Sequence, residues 1–468
     1  MPVTSAYRPD PRFPALGAEF ADPVAAARFP KTLLRYRNDR AAASVGLDGL
    51  TDAEWIAHFG RFEPLPDNID PPLAQRYHGH QFRVYNPELG DGRGFLFAQL
   101  REAGTDRLLD LGTKGSGPTP WSRSGDGRLT LKGGVREVLA TAMLEALGVP
   151  TSRSFSLIET GEQLVRGDEP SPTRSSVLVR LSHSHIRFGT FQRHAFFEKA
   201  DRIGLLGDHV IANYYPDLAE VEDRPAALLA AVGERCATLT ARWMAAGFVH
   251  GVLNTDNMNI TGESFDYGPY RFLPRSDPNF TAAYFDHSGL YAFGRQPEAV
   301  FWNLQQLAGC LTFVTGSDPL VAALNTFGQA YRRELASAMV RRLGLKPRGP
   351  EADELLVQAA FKGLAFGGER LRWEPFFFDW FCGRDPAGPR ADLYAADEFA
   401  DFRARIAPYE PERPERLAHP YFQGEAPEEL LYDEIETIWA PIAEADDWSR
   451  FHDKLARIEA ARVAWGLA

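Results

Sequence analysis

The chain has 468 residues, of which 44% are hydrophobic and 24% charged, and it carries a formal net charge of −12. That is the composition of an ordinary globular protein, long enough for two or three cores or for one two-lobed enzyme with extensions. The acidic balance argues against nucleic acid or an anionic membrane as the main partner, while leaving room for a local basic pocket.

Three cysteines, Cys236, Cys310 and Cys382, form no CxxC pair, so they read as small buried hydrophobes rather than zinc ligands or a disulfide framework. The first thirteen residues hold three prolines and no apolar run, so no secretory leader is expected. No stretch approaches the roughly 18 apolar residues of a membrane span. The expectation is a cytoplasmic protein with no membrane partner.

Residues 1–75 are rich in proline and aromatics and read as an extension packed on a domain, with one helix over 52–59 capped by Thr51. Residues 76–205 are strand-rich. Short apolar runs at 95–100, 108–113, 154–158 and 177–181 predict strands, and one helix is expected over 133–147, where Val135, Val138, Leu139, Ala142, Ala146 and Leu147 share a face. From 206 to 385 helices dominate, with apolar periodicity over 226–246, 297–313, 318–343 and 351–364. A tail over 386–468 alternates acidic, proline-rich and aromatic stretches, and is read as helical. Strands first and helices second predict an α+β fold of two unequal lobes with a cleft between them.

Four segments carry candidate chemistry. Gly90-Asp91-Gly92-Arg93-Gly94 precedes a strand, where glycines let backbone N–H groups approach phosphate oxygens and Arg93 adds a guanidinium; a plain turn between strands is the competing explanation. Lys114 ends the next strand, and Glu137 lies on the following helix. A strand lysine paired to a helix glutamate is how kinases hold ATP phosphates, although Glu137 lies opposite the apolar stripe and a solvated glutamate would look the same. Asp126 and Gly127 sit in a turn that could approach a nucleotide, or could be a surface turn.

The fourth segment is the most informative. His250-Gly-Val-Leu-Asn-Thr-Asp-Asn257 is followed by Asp266-Tyr-Gly268. This is the order of the kinase His-Arg-Asp-x-x-x-x-Asn and Asp-Phe-Gly motifs, in which the asparagine and the second aspartate hold Mg²⁺. The slot of the kinase catalytic aspartate holds Val252, which cannot accept a proton. Asp256 is the nearby carboxylate left for that role, with Asn257 and Asp266 as oxygen ligands for the metal. Arg180 and Arg187 could clamp phosphates or lie on a solvated strand. His183 and His185 lack the partners of a metal site and receive no role.

Taken together, Tyr-His-Gly-His-Gln-Phe (77–82), the glycine turn (90–94), Leu-Gly-Thr-Lys-Gly-Ser-Gly-Pro-Thr-Pro-Trp-Ser-Arg (111–123), Gly-Asp-Gly-Arg (125–128), Ser-His-Ile-Arg-Phe-Gly-Thr-Phe (184–191) and His-Gly-Val-Leu-Asn-Thr-Asp-Asn-Met (250–258) resemble the selenoprotein O (YdiU) family. The resemblance covers roughly residues 30–300. It implies a protein-kinase-like fold that binds ATP in a flipped pose and moves AMP onto Ser, Thr or Tyr hydroxyls of proteins. Carried over by position, it implies nucleotide contacts from Gly90, Gly92, Arg93, Lys114, Asp126, Gly127, Arg180 and Arg187. It further implies a Lys114–Glu137 pair, Mg²⁺ on Asn257 and Asp266, and Asp256 as general base. UMP transfer from UTP with Mn²⁺, an atypical phosphotransferase and a non-catalytic nucleotide-binding regulator stay open. Many family members end in a cysteine or selenocysteine motif. Here no cysteine follows Cys382 and none lies in 259–309, so redox control by such a disulfide is not expected.

Overall fold

Short apolar runs give the first half of the chain its strands, and the helical period of the second half gives it helices. In the computed structural model, which describes residues 4–467 apart from 168 and 387, the N-terminal elements are β1 (Ala21–Pro23), β2 (Leu33–Arg37), α1 (Asp39–Ser44), α2 (Asp52–Gly60) and β3 (Leu73–Gln75). Then come β4 (Gly79–Gln81), β5 (Val84–Asn86), β6 (Leu96–Arg101), β7 (Leu108–Lys114), β8 (Leu129–Thr130), α3 (Leu131–Ala146), β9 (Arg153–Leu164) and β10 (Thr173–Ser182). The sheet runs β1-β3-β6-β7-β10-β9-β2, with β8 paired to β10, and its pairings are antiparallel. β4 and β5 form a separate hairpin. The fold is α+β.

The N-terminal residues do more than pack on the sheet, because β1 and β2 supply two of its strands. Thr51 caps α2 in a full capping box with Glu54. Trp55 and Phe59 of α2 pack with Phe97 and Phe155 in a core between that helix and the sheet. The strands expected over 154–158 and 177–181 are the central parts of the much longer β9–β10 hairpin. α3 starts two residues before the expected boundary because the Thr130 hydroxyl accepts from Gly133 N.

The helical half contains α4 (Phe188–Phe196), α5 (Ala200–Tyr214), α6 (Arg224–Ala245), α7 (Gln296–Leu311), α8 (Ser317–Asn325), α9 (Phe327–Arg342), α10 (Pro350–Gly367), α11 (Trp373–Trp380), α12 (Ala391–Ala395) and α13 (Ala400–Ile406). It also holds a short β11–β12 pair (Phe248–Val249 with Arg271–Phe272). The single helix expected over 318–343 is two, α8 and α9, divided at Thr326. There the hydroxyl and the backbone N–H both bond the Ala323 carbonyl, which tightens the turn.

The tail forms α14 (Tyr432–Ala445) and α15 (Ser449–Trp465), and both pack against α3. Lys454 of α15 is fully buried and is held by Glu428, Glu434 and the Glu429 carbonyl. Removing a buried cation strands its carboxylates, which costs about 3–5 kcal/mol. Lys454→Ala should therefore lower stability by about that amount, measured by denaturant titration. No helix among the described residues is long and apolar enough to cross a membrane.

Candidate active site

The edge of the sheet and the loop after α6 enclose a cleft of about 690 Å³. Gly90, Gly92, Arg93, Lys114, Asp126, Gly127, Arg180 and Arg187 line it from the sheet side, and Asp256, Asn257 and Asp266 from the other. Glu137 reaches it through Lys114.

At its deep end lies a buried charge cluster. Lys114, the last residue of β7, bonds Glu137 on α3 and lies 3.2 Å from Asp266 Oδ1. Arg180, in β10, donates to the same Asp266 oxygen at 2.7 Å, and Arg187, at the start of α4, donates to Oδ2 at 2.8 Å. Register places these groups together: β10 pairs with β7 so that Arg180 faces Gly112 and Leu178 faces Lys114. Burial opposes ionisation of Asp266, but the charges of Arg180, Lys114 and Arg187 hold its carboxyl well below the usual range. The residue has φ 63°, a left-handed conformation that aspartate tolerates better than most side chains.

Glu137 is not solvated. It is 2% exposed, because α3 is covered by the sheet on one side and by tail helices on another. The apolar-stripe reading failed because a helix covered on more than one side hides residues beyond its apolar face.

Arg187 joins the two sides of the cleft. Its guanidinium lies over the rings of Tyr77 and Phe265, at 4.6 and 4.7 Å, and also donates to the Asp256 carbonyl at 2.8 Å. Asp91 stands 3.5 Å behind it and accepts from Gln75 N. Arg180 and Arg187 do not share one strand, since β10 ends at Ser182. Buried Arg180 Nε, Arg187 Nε, Glu137 Oε2 and Asp256 Oδ1 have no hydrogen-bond partner among the described residues. So many orphaned polar atoms around one cleft are the mark of a missing ligand.

Asp256 sits in a short 3₁₀ turn, Thr255–Asn257. Burial pushes its carboxyl up to about 6, partly offset by Arg187. The turn is fixed from the β4–β5 hairpin, where His80 N donates to Thr255 Oγ1 at 2.7 Å and Phe82 N to Asn254 Oδ1 at 3.0 Å. His250 bonds the Phe265 carbonyl at 3.0 Å, tying the loop to the residue before Asp266. Asn257 Nδ2 donates to the Val252 carbonyl at 2.9 Å, so its oxygen is the free end of the amide.

The glycine turn is covered by the loop 118–128. A Cβ on Gly90 would meet the Trp121 ring at 2.4 Å, and one on Gly92 would meet the Trp121 carbonyl at 2.8 Å. These two glycines are thus required by Trp121, whatever a ligand requires of their N–H groups. Asp126 is held bidentately by Arg166, at 2.8 and 3.0 Å.

Sequence reasoning missed Tyr77, Phe265, Asn254, Thr255 and Arg166. Three of these lie inside quoted motifs (Tyr77, Asn254, Thr255), so a signal was present, but their roles depend on contacts between distant segments. His183 and His185 join no metal-binding group of three or more His, Cys, Asp or Glu among the described residues.

Three buried cations that share one carboxylate, beside free oxygen donors in an open cleft, make a site for an anionic, polyphosphate-bearing ligand. The chain matches the family model described as "Protein adenylyltransferase SelO" over residues 4–381. It is 45% identical over 472 residues to "Protein nucleotidyltransferase YdiU" of Synechocystis sp., covering 96% of this chain and 97% of that one. It is 47% identical to the protein of that name from Gloeobacter violaceus (96% and 94% covered) and 39% to that from Vibrio cholerae (76% and 72%). The chain belongs to the SelO family and is a nucleotidyltransferase.

Removing the shared counter-ion tests the cluster. Asp266→Ala should destabilise the unliganded protein by about 3–5 kcal/mol. Added tripolyphosphate should raise the melting temperature of the variant more than that of the wild type. Equal melting curves without ligand would show that Asp266 is not the counter-ion of the three cations.

Proposed function

We propose that the protein transfers AMP from ATP to Ser, Thr or Tyr hydroxyls of other proteins in a Mg²⁺-dependent reaction. The fold would be protein-kinase-like, with lobes over 76–205 and 206–385, an N-terminal extension over 1–75 and a tail over 386–468. The nucleotide would lie reversed relative to a kinase. The observation that carries this reading is the separation of charges along the cleft. Arg180 and Arg187 are each 4% exposed at the deep end, whereas Arg93 and Asp126 are exposed at its mouth. A triphosphate entering tail first puts its β- and γ-phosphates on the buried cations and its α-phosphate nearer the loop of Asp256.

The acceptor hydroxyl oxygen attacks the α-phosphorus as the bond from that phosphorus to the bridging oxygen of the β-phosphate breaks. Pyrophosphate leaves, and the hydroxyl proton passes to Asp256. Asp256 Oδ1 is buried without a partner among the described residues and is the acceptor available for it. Lys114, Arg180 and Arg187 stabilise the charge that gathers on the leaving pyrophosphate. Val252, in the slot of the kinase base, takes no part.

The residues fit a hard divalent cation. Asn257 keeps its amide oxygen free, and Asp266 is an ionised carboxylate. Both would hold Mg²⁺, which when bound neutralises phosphate charge and aligns the α-phosphate. Asp266 must then release some of its cations to the phosphates.

ATP labelled at the α-phosphate should label acceptor protein and release pyrophosphate, whereas ATP labelled at the γ-phosphate should not label it. Label from the γ-phosphate alone would sink the proposal in favour of a phosphotransferase. Asp256→Ala should lower transfer at least about 100-fold with nucleotide affinity little changed. Chelation of divalent metal should stop the reaction, and separate restoration with Mg²⁺ or Mn²⁺, using ATP or UTP, identifies the metal and the base.

A further inference from the structure

The mechanism above does not use a second joint between α3 and the segment after Asp266. Arg136, the residue before Glu137, donates to the carbonyls of Gly268 and Tyr270, both at 3.3 Å. In return the hydroxyl of buried Tyr270 donates to the Arg136 carbonyl at 2.7 Å. The Arg136 guanidinium also lies 5.1 Å from the centre of the Tyr270 ring. Each partner thus holds the other's backbone, one residue from Glu137 on one side and two to four residues from Asp266 on the other.

The tail covers this clasp. The ring of Tyr432, the first residue of α14, lies 3.9 Å from the guanidinium of Arg271 and 5.9 Å from that of Arg136. One turn along, Glu436 pairs with Lys132 of α3 at 2.7 Å. Tyr432 is 38% exposed and its hydroxyl makes no hydrogen bond among the described residues, so the ring face is what it contributes.

We propose that Arg136 and Tyr432 are positioning residues that keep Glu137 and Asp266 together on Lys114, with the tail helix α14 as the outer part of the clasp. The physical need is plain. Glu137 is buried with one oxygen unpaired, and rotating α3 outward would let water solvate it. Apolar packing holds α3 on the sheet, and the clasp adds a polar joint at the turn that carries Glu137. The effect on catalysis rests on the proposed nucleotide site; the effect on the two segments does not.

The test uses the full chain with Tyr432→Ala, Tyr432→Leu, Tyr432→Phe and Arg136→Ala. The expected result is a kcat about tenfold lower for Tyr432→Ala, Tyr432→Leu and Arg136→Ala, a nearly unchanged KM for the acceptor, and wild-type behaviour for Tyr432→Phe. Hydrogen exchange should accelerate in residues 131–146 and 266–272 of the first three variants and not in the core of α6, with melting temperatures within a few degrees of wild type. Tyr432→Leu keeps the apolar packing of α14, so a loss there belongs to the ring face. Wild-type kcat and exchange in Tyr432→Leu and Arg136→Ala would overturn the proposal, as would a Tyr432→Phe variant as impaired as Tyr432→Ala. If the wild type transfers nothing from any nucleotide, the proposed reaction has failed, and the exchange data alone decide the clasp.

Discussion

One carboxylate, Asp266, bears the contacts of three buried cations, and most of the site follows from that arrangement. Lys114 comes from β7, Arg180 from β10 and Arg187 from the start of α4. Each is buried, and a buried cation without a counter-ion is too costly for a protein whose whole stability is about 5–15 kcal/mol. Asp266 therefore holds the sheet and the helical half in one register. The left-handed backbone at Asp266 belongs to the same bargain, since the turn must bring one side chain within reach of three donors.

The arrangement also defines what the site can exchange. Lys114 pairs with Glu137, Arg187 with Asp91, and all three cations with Asp266, so the buried cations at the bottom of the cleft share one carboxylate. A polyphosphate can take over cations from Asp266 without leaving any of them bare, and the released carboxylate becomes an oxygen donor. Ligand entry then swaps one set of charge-assisted bonds for another, which avoids uncovering an empty charged pocket in the free protein. Asp256 lies outside that exchange. It touches Arg187 through its backbone carbonyl, so its side chain remains free of the cluster and its carboxyl stays near 6 under burial.

How far the sequence revealed this depended on the range of each interaction. Thr51, the helix over 226–246 and the strand ends before Lys114 were legible because caps and periodicity are local. That His250, Asp256, Asn257 and Asp266 come from neighbouring stretches of one segment was legible because a loop keeps its spacing. The burial of Glu137 was not legible, because the helices that cover α3 lie some 300 residues later in the chain. The break at Thr326 was hidden for the opposite reason. It is a single hydroxyl–carbonyl bond inside an otherwise uninterrupted helical pattern.

Arg187 shows why neither set of residues would suffice by itself. Its guanidinium is fixed edge-on by Asp266 Oδ2 and the Asp256 carbonyl, and face-on by Tyr77 and Phe265. Both of these bonds come from Nη1, and what a lysine would not reproduce is the planar group that carries it over the two rings. The backbone of the proposed base and the carboxylate of the proposed metal ligand are consequently held by one rigid plane. The clasp of Arg136 with Tyr270 acts on the other flank of Asp266. Between them, the segment 265–270 is pinned on both sides.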